Sequence, residues 1–420
     1  MIKNIVNTVG SKLGTSLISF VLLLIYSNYL GAAGLGTIGL IVLSITIVLL
    51  LSNLVNTSII YFASRHSTGN LFWVSYIWSL VSVGIAIIAN QIVPIFPEEY
   101  TNDIYILSFM QSGIAIHLNV LLGKEKIKHY NIYSFLQSLL TLAFVCSFFF
   151  IQKNQDVETF INALYIAYGI VLILSSFNTI PYIENVKPKD FKVVFTDAIK
   201  YGFYVQTANI FQLLNYRISY FILDLYSGRA SLGIYTAGVQ ISEALLIPGK
   251  SISTVQYARI SARKNEGYAQ RISILFMKFS MLLTGFGTLI LLLLPSSFLV
   301  WILGESFAQV KLTIMAMSLG IVALSAEIIL SHYFSGTGRQ QKNSTSSLMG
   351  LILTLISAYL LIPKYGAIGA ALSSSIAFSG MLFYLVFQML KHPGVKFSLF
   401  LPQKNDLKLV RRILRLYLPK

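Results

Sequence analysis

The chain has 420 residues, of which 55% are hydrophobic and 11% are charged, and its mean hydropathy is +0.73. Soluble domains carry about 25% charged residues, so this composition excludes a water-soluble fold and indicates a protein whose solvent is lipid. The formal net charge is +16. The basic residues fall in short loops between apolar runs, a pattern that orients membrane proteins and is not typical of nucleic-acid binding.

Apolar runs of about 20 residues, long enough to cross a bilayer, recur along the whole chain. They predict an all-α polytopic membrane protein of about twelve spans in two six-helix lobes. The longest interior polar stretch, Glu184 to Lys200, is predicted to link the lobes, which gives an N-terminal lobe over 1–190 and a C-terminal lobe over 191–391. The predicted spans are 9–29, 36–60, 71–94, 103–123, 131–151, 159–183, 199–223, 231–254, 272–294, 307–334, 345–362 and 368–390.

The remaining residues, 392–420, form a basic tail that is predicted to be cytoplasmic. Its apolar and basic residues alternate with helical periodicity, which predicts an amphipathic helix on an anionic leaflet. The apolar face would carry Leu407, Val410, Leu414 and Leu418, and the basic face Lys408, Arg411, Arg412 and Arg415.

The distribution of Lys and Arg predicts the orientation. With the N-terminus inside, 23 of the 31 basic residues fall in inside segments, four in outside loops and four within helices. This bias predicts that both termini are cytoplasmic, as an even number of spans requires. A bacterial cytoplasmic (inner) membrane is the expected location.

A sequence repeat relates the two halves. Gly31-Ala32-Ala33-Gly34-Leu35-Gly36 follows span 1, and Gly228-Arg229-Ala230-Ser231-Leu232-Gly233 follows span 7 at a constant offset. Each is predicted to be a tight outside turn that opens the next helix. Because six spans separate the two turns, the halves would be related by an axis along the membrane normal, as in a parallel repeat.

Together these features resemble the O-antigen (Wzx-type) polysaccharide flippases of the multidrug/oligosaccharidyl-lipid/polysaccharide (MOP) exporter superfamily. The resemblance covers nearly the whole chain. The motifs that carry it are Tyr29 to Gly36, Leu232-Gly233-Ile234-Tyr235, Ile241-Ser242-Glu243 and Tyr365 to Ala371.

The resemblance implies a MATE-like, V-shaped pair of lobes around a cavity that opens alternately to each side. The implied cargo is an undecaprenyl-pyrophosphate-linked oligosaccharide repeat unit, flipped to the outer leaflet for O-antigen or capsule synthesis. A polysaccharide polymerase and a chain-length regulator are possible partners on this view, and no nucleic acid is expected. The protein would be a secondary-active transporter and not an enzyme.

A charged side chain inside the bilayer is costly, so it usually faces a cavity or a partner. Arg217 lies in the middle of span 7. A guanidinium can bind a phosphate through two parallel hydrogen bonds, so Arg217 is a candidate ligand for the cargo pyrophosphate. A structural ion pair with Glu243 or Glu327 is an equal alternative.

Three lysines are further candidates for the cavity. Lys12, in the first turns of span 1, could hold the pyrophosphate on the cytoplasmic side. Lys250, which follows Pro248-Gly249 in span 8, and Lys278 in span 9 could line the inner cavity. For all three lysines, extension of the ammonium group to the membrane interface is the competing interpretation.

Glu243 and Glu327 lie deep in spans 8 and 10, and Asp224 lies near the outer end of span 7. Burial favours the neutral form of a carboxyl group, so such groups can bind and release a proton as a cavity alternates. They are candidates for ion coupling to a proton or sodium gradient. The alternatives are a counter-ion role for the glutamates and simple hydration for Asp224.

Other polar residues in the spans have structural interpretations. The cluster Gln206, Thr207, Asn209, Gln212 and Asn215 in span 7 is predicted mostly to form hydrogen bonds between helices. His117 in span 4 is predicted to be a satisfied core histidine, and no metal site or cofactor is expected.

Three rival functions make different predictions. A peptidoglycan-precursor flippase usually has more helices than the twelve predicted here. A cation-coupled multidrug exporter of the same superfamily predicts an acidic cavity in the N-terminal half, whereas spans 1 to 6 contain no buried carboxylate. A membrane glycan polymerase or transferase predicts a paired-carboxylate or arginine-rich outside loop. The outside loops are short, and the loop with Glu98, Glu99 and Asp103 is the one candidate. No P-loop or zinc-hydrolase motif occurs in the sequence.

Overall fold

A computed structural model describes residues 2–63, 67–184, 186, 190–262, 266–392 and 394–400. These residues form helices joined by short turns, and no strand occurs among them. Lipid offers the backbone no hydrogen-bond partners, so each segment must satisfy its own N–H and C=O groups within a helix. The α-helices are α1 (Ile2–Asn56), α2 (Ser58–Phe62), α3 (Thr68–Ile92), α4 (Thr101–Gly123), α5 (Ile127–Cys146), α6 (Val157–Thr179), α7 (Phe191–Ala244), α8 (Ile247–Ala262), α9 (Glu266–Leu293), α10 (Ser296–Leu303), α11 (Val310–Gly336) and α12 (Gln340–Leu390).

Three of these helices are too long to be single spans. Helices α1, α7 and α12 contain 55, 54 and 51 residues, or about 80 Å at 1.5 Å per residue, against a hydrocarbon core of about 30 Å. Each is divided by one glycine with positive φ: Gly31 (66°), Gly228 (75°) and Gly366 (53°). Glycine adopts this conformation without the steric penalty of a Cβ atom.

These divisions account for the twelve predicted spans. The three divided helices supply six, and α3, α4, α5, α6, α9 and α11 supply the other six. Within the described residues, eight helices are individually long and apolar enough to cross a membrane, and a bent pair, Asn209–Ala244 with Ile247–Thr254, makes a ninth. The predicted turns at Gly31 and Gly228 occur at those residues.

The bent pair contains the second half of α7 and the beginning of α8. The two helices meet at an angle of 47° across Leu245 and Leu246. Pro248 lies in the first turn of α8, where its missing N–H costs little, but it cannot donate to the carbonyl of Ala244. The break thus lies just before Pro248.

Part of the predicted inter-lobe linker is helical. Within Glu184 to Lys200, α7 begins at Phe191, and Val194 and Ala198 are buried. The two small apolar residues lie four positions apart, on one helical face, and pack with α1 and α3 residues. The sequence predicts a linker here because most residues of the stretch are polar, and the two buried positions alone give too weak an apolar pattern to indicate a helix.

Contacts divide the chain into two compact units. Unit 1 is Met1–Ile210 with the short segments Gly228–Thr236 and Ile302–Phe307, and unit 2 is Phe211–Ser227, Ala237–Trp301 and Ala308–Lys420. The core of unit 1 includes Val55, Ile59, Val74, Val120 and Val194. The core of unit 2 includes Met277, Ile329, Tyr333, Leu385 and Met389. The lobe boundary after residue 190 stays a prediction, and the amphipathic helix predicted over the tail lies outside the described residues.

The two repeated turns cross within unit 1. A Cβ atom on Gly36 would lie 2.1 Å from the carbonyl oxygen of Arg229, and a Cβ atom on Gly233 would lie 1.7 Å from the carbonyl oxygen of Ala32. Ala32 corresponds to Arg229, and Gly36 to Gly233, at the offset of the sequence repeat. The contact is therefore reciprocal, as a parallel repeat requires.

Candidate substrate cavity

Arg217 lies on α7 in unit 2 and is held by a tyrosine one turn further along the helix. Its Nη1 donates a hydrogen bond of 2.7 Å to the hydroxyl of Tyr220. The guanidinium carbon also lies 5.1 Å from the centre of the Tyr220 ring, within cation–π range. Tyr220 is only 3% exposed, so it fixes one edge of the guanidinium.

The other edge of the guanidinium faces Glu243, near the end of α7. Arg217 Nη2 lies 3.4 Å from Glu243 Oε1, and the two side chains are 27% and 32% exposed. Of the two ion pairs that the sequence offers as alternatives for Arg217, the structure forms the one with Glu243. Both side chains of the pair are thus partly accessible.

Arg217 and Glu243 line a cavity of about 340 Å³ that lies wholly within unit 2. Its size is within the range of small-ligand sites. Lys250, on the far side of the α7–α8 bend, lines the same cavity, and so does His332 of α11. The other lining residues are Gln212, Tyr216, Leu246, Ser253, Thr254, Leu324 and Ile328.

His332 is a basic residue that sequence reasoning missed. Its Nδ1 lies 2.7 Å from the carbonyl oxygen of Ile328, one turn earlier on α11. A carbonyl can only accept, so Nδ1 carries a proton and the Nε2 atom remains for another partner. The cavity thus has three basic side chains, Arg217, Lys250 and His332, against one lining carboxylate, Glu243.

Glu327 lies behind the cavity and not on its surface. It is 4% exposed on α11, and Tyr216, which does line the cavity, is within electrostatic reach of Glu327, Glu243 and Arg217. The Tyr216 hydroxyl accepts a hydrogen bond from Gln212. Both predicted coupling glutamates therefore lie near one side chain of the cavity wall.

The other predicted charged residues do not line this cavity. Lys12 is exposed on α1 in unit 1. Lys278, on α9 of unit 2, is 9% exposed, and Asp224 on α7 is partly buried. Lys278 and Asp224 each have further interactions within the protein. Their predicted roles stay predictions.

The polar residues of α7 mostly bond to protein groups. Gln206 Nε2 donates to Thr57 Oγ1 at 3.2 Å, and Asn209 donates to Gln206 at 3.0 Å. Asn215 accepts a hydrogen bond of 2.7 Å from Thr354 Oγ1. The contacts of Gln206 and Asn215 link α7 to other segments, as predicted, whereas the contact of Asn209 lies within α7. Gln212 is the exception because it lines the cavity, and the side chain of Thr207 lies outside the described part of the chain.

His117 is satisfied inside unit 1, as predicted. Its Nδ1 lies 2.7 Å from Ser175 Oγ, which itself donates to the carbonyl oxygen of Leu172. Ser175 must therefore accept from Nδ1, so that Nε2 is left to accept from the Tyr76 hydroxyl at 2.9 Å. Among the described residues, no group of three or more potential metal ligands occurs.

Two solved membrane proteins have the same fold. The chain superposes on the lipid II flippase MurJ in an inward closed conformation with a TM-score of 0.75 and 15% identity, covering 100% of this chain and 94% of that chain. It superposes on an inward-facing multidrug resistance MATE family transporter of the MOP superfamily with a TM-score of 0.71 and 15% identity, covering 90% and 96%. The chain is thus a multi-pass helical membrane protein with the same fold as these two proteins, and the MATE-like fold that the resemblance implied is confirmed.

Two curated proteins are similar in sequence. The chain is 27% identical over 225 residues to the capsular polysaccharide biosynthesis protein CapF of Staphylococcus aureus, covering 51% of this chain and 54% of that protein. It is 22% identical over 380 residues to a protein of the Lsg locus of Haemophilus influenzae, covering 86% and 92%. The chain therefore spans about half the length of the first and most of the second. No protein-family profile matches it. Bacterial relatives and helical spans agree with the cytoplasmic membrane as its location.

Proposed function

We propose that this protein flips a lipid-linked oligosaccharide, joined to its undecaprenyl carrier by a pyrophosphate, from the cytoplasmic to the outer leaflet by alternating access. The observation that carries the proposal is the cavity of unit 2, where Arg217, Lys250 and His332 face one space. A pyrophosphate in a partly desolvated site needs cations, and Arg217 and Lys250 supply them on two different helices, with the His332 imidazole on a third. The fold and the similarity to CapF support the same conclusion.

In this proposal Arg217 binds the pyrophosphate through the edge of its guanidinium that faces the cavity. Lys250 and His332 contact the same anion from the opposite walls, and Gln212, Ser253 and Thr254 can bind sugar hydroxyl groups. Lys12 would meet the pyrophosphate on the cytoplasmic side, and Lys278 would serve as a further cation on the inner path. A polymerase and a chain-length regulator would use the flipped product.

Glu243, Glu327 and Asp224 are proposed to couple flipping to a proton or sodium gradient, with no other cofactor. Glu243 lies on the cavity surface and Glu327 lies behind Tyr216. A carboxylate in such a position can bind and release a cation as the cavity opens to one side or the other. Alternating exposure would therefore couple the movement of a cation to flipping of the cargo.

A second candidate is a cation-coupled multidrug exporter, which the MATE neighbour favours at the level of the fold. A cationic drug would need an excess of carboxylates on the cavity wall, whereas Glu243 is outnumbered there by three basic side chains. The basic wall therefore favours an anionic cargo. A membrane glycan polymerase or transferase is a more distant alternative.

A complementation experiment tests the proposal. The gene is deleted in its host, and surface polysaccharide is followed by gel together with the lipid-linked repeat unit in membrane extracts. We expect loss of the polymer and accumulation of single repeat units on the cytoplasmic face. Surface polymer that persists, together with altered resistance to cationic drugs, would instead identify an exporter.

Complementation with variants then tests the site. Arg217→Ala is expected to abolish rescue, and Arg217→Lys to restore part of it, because the charge survives but the paired hydrogen bonds do not. Arg271→Ala is the matched control, since Arg271 is an exposed arginine on α9 away from the cavity. Full rescue by Arg217→Ala would refute the assignment of Arg217 to the cargo.

A further inference from the structure

The two edges of the Arg217 guanidinium are held very differently. The Nη1 edge makes a 2.7 Å hydrogen bond to the buried Tyr220 hydroxyl, whereas the Nη2 edge lies 3.4 Å from Glu243. Hydrogen bonds between a guanidinium and a carboxylate usually measure about 2.7–2.9 Å. The contact with Glu243 is therefore the longer of the two, and Glu243 is the partner that lines the cavity.

Tyr220 keeps its hold on Arg217 without Glu243. It lies three residues from Arg217 on the same helix, and its ring lies against the guanidinium in addition to the hydroxyl contact. Glu243 is 26 positions away in sequence, beyond the division at Gly228 and near the C-terminal end of α7. If Glu243 moved away, the contact with Tyr220 would still hold the guanidinium at the wall of the cavity.

From these contacts we infer that Glu243 is an internal placeholder for the cargo anion. Its carboxylate occupies the edge of Arg217 that a phosphate would use, and the cargo binds by displacing it. The inference rests on the proposed function and adds to it how cargo and counter-ion exclude each other. Tyr220 is the positioning residue that presents the vacated edge.

The exchange makes the cargo and Glu243 alternative partners of Arg217. While Glu243 pairs with Arg217, its carboxylate occupies the edge that the cargo needs. Once the cargo takes Arg217, the displaced carboxylate stays in a cavity that it shares with Lys250 and His332, where the Lys250 ammonium offers it another cationic partner.

The test measures pyrophosphate binding to the full chain in lipid nanodiscs by calorimetry. Removing the competing charge with Glu243→Gln should tighten binding about two- to fivefold, which is the effect expected for a partly exposed ion pair. Arg217→Ala should weaken binding strongly, and adding Glu243→Gln to it should recover nothing. Unchanged or weaker binding by Glu243→Gln, in protein that elutes and melts like the wild type, would overturn the placeholder role.

A double-mutant cycle tests Tyr220. Tyr220→Phe should weaken pyrophosphate binding in the wild-type background but not in the Arg217→Lys background, because lysine has no second edge to be oriented. A loss of equal size in both backgrounds would mean that Tyr220 acts only on folding and would overturn its positioning role. Absence of pyrophosphate binding by the wild type and every variant would overturn the proposed cargo site itself, a result distinct from the two failures above.

Discussion

Gly36 and Gly233 lie against each other's helices, so that a Cβ atom on Gly36 would be 2.1 Å from the Arg229 carbonyl oxygen and 3.0 Å from the Gly233 nitrogen. Backbones approach this closely in membrane helices only where small residues line the crossing. Gly36 and Gly233 occupy equivalent positions of the repeat, just after the turns at Gly31 and Gly228. Their crossing therefore brings together the starts of span 2 and span 8.

Gly36→Val is predicted to destabilise the protein by about 1–3 kcal/mol, because backbone atoms cannot yield as side chains do. The expected result is a lower melting temperature in detergent. Gly84→Ala on α3 is the control, since a Cβ atom there meets nothing within 4 Å and alanine should stabilise the helix slightly. Equal melting temperatures for Gly36→Val and the wild type would contradict the close crossing.

Removing either of the two remaining basic side chains of the cavity should weaken the cargo site. Lys250→Ala and His332→Ala are each predicted to lower pyrophosphate affinity about tenfold, as expected for loss of one hydrogen bond to a charged group. Lys250→Arg should retain most of the affinity because the charge remains. Binding that is unaffected by both alanine variants would show that the anion does not contact this wall.

His117 offers a test of a structural role. His117→Leu would leave the buried hydroxyl groups of Tyr76 and Ser175 without their partner, which is expected to cost about 1–3 kcal/mol in the free energy of unfolding. Thermal melting measures this loss, and transport per folded molecule should stay near the wild-type value. Normal stability with abolished transport would instead place His117 in the transport path.

His392, after the end of α12, predicts a pH dependence. Its Nε2 lies 3.0 Å from Arg339 Nη1, which can only donate, and Arg339 is also paired with Glu266 at 2.7 Å. Burial, and then the charges of Arg339 and Lys342 offset in part by Glu266, lower the pKa of His392 below its ordinary value. Neutral His392 is thus the form that the folded state favours.

The direction of the effect follows from proton linkage. The contribution of neutral His392 to the free energy of unfolding is complete above the pKa of histidine in the unfolded chain, about 6.5. It is lost as the pH falls through the lower pKa of His392 in the folded state, because the unfolded chain binds the proton first. Melting temperatures measured between pH 7.5 and 5 should therefore fall with pH. His392→Gln should flatten this slope, and His129→Gln on α5 is the control. An unchanged slope in His392→Gln would assign the pH dependence to other groups.

Local signals explain which parts of the site could be found from sequence. Tyr220 lies three residues after Arg217, a helical spacing at which side chains meet, so its contact with the arginine was accessible in principle. His332 gave no such signal because it reaches the cavity from a different helix. The predicted linker includes the start of α7 for a related reason. Val194 and Ala198 form a buried helical face only because they pack against residues of other helices.

The sequence by itself determined the class of protein, the twelve spans and the turns at Gly31 and Gly228. These features are local, since a segment in lipid must satisfy its own backbone hydrogen bonds and a turn with positive φ needs glycine. Only the tertiary structure decided which charged residues meet. Arg217, Glu243 and His332 share a cavity because helices bend and cross in unit 2, and a crossing depends on the packing of residues far apart in the chain.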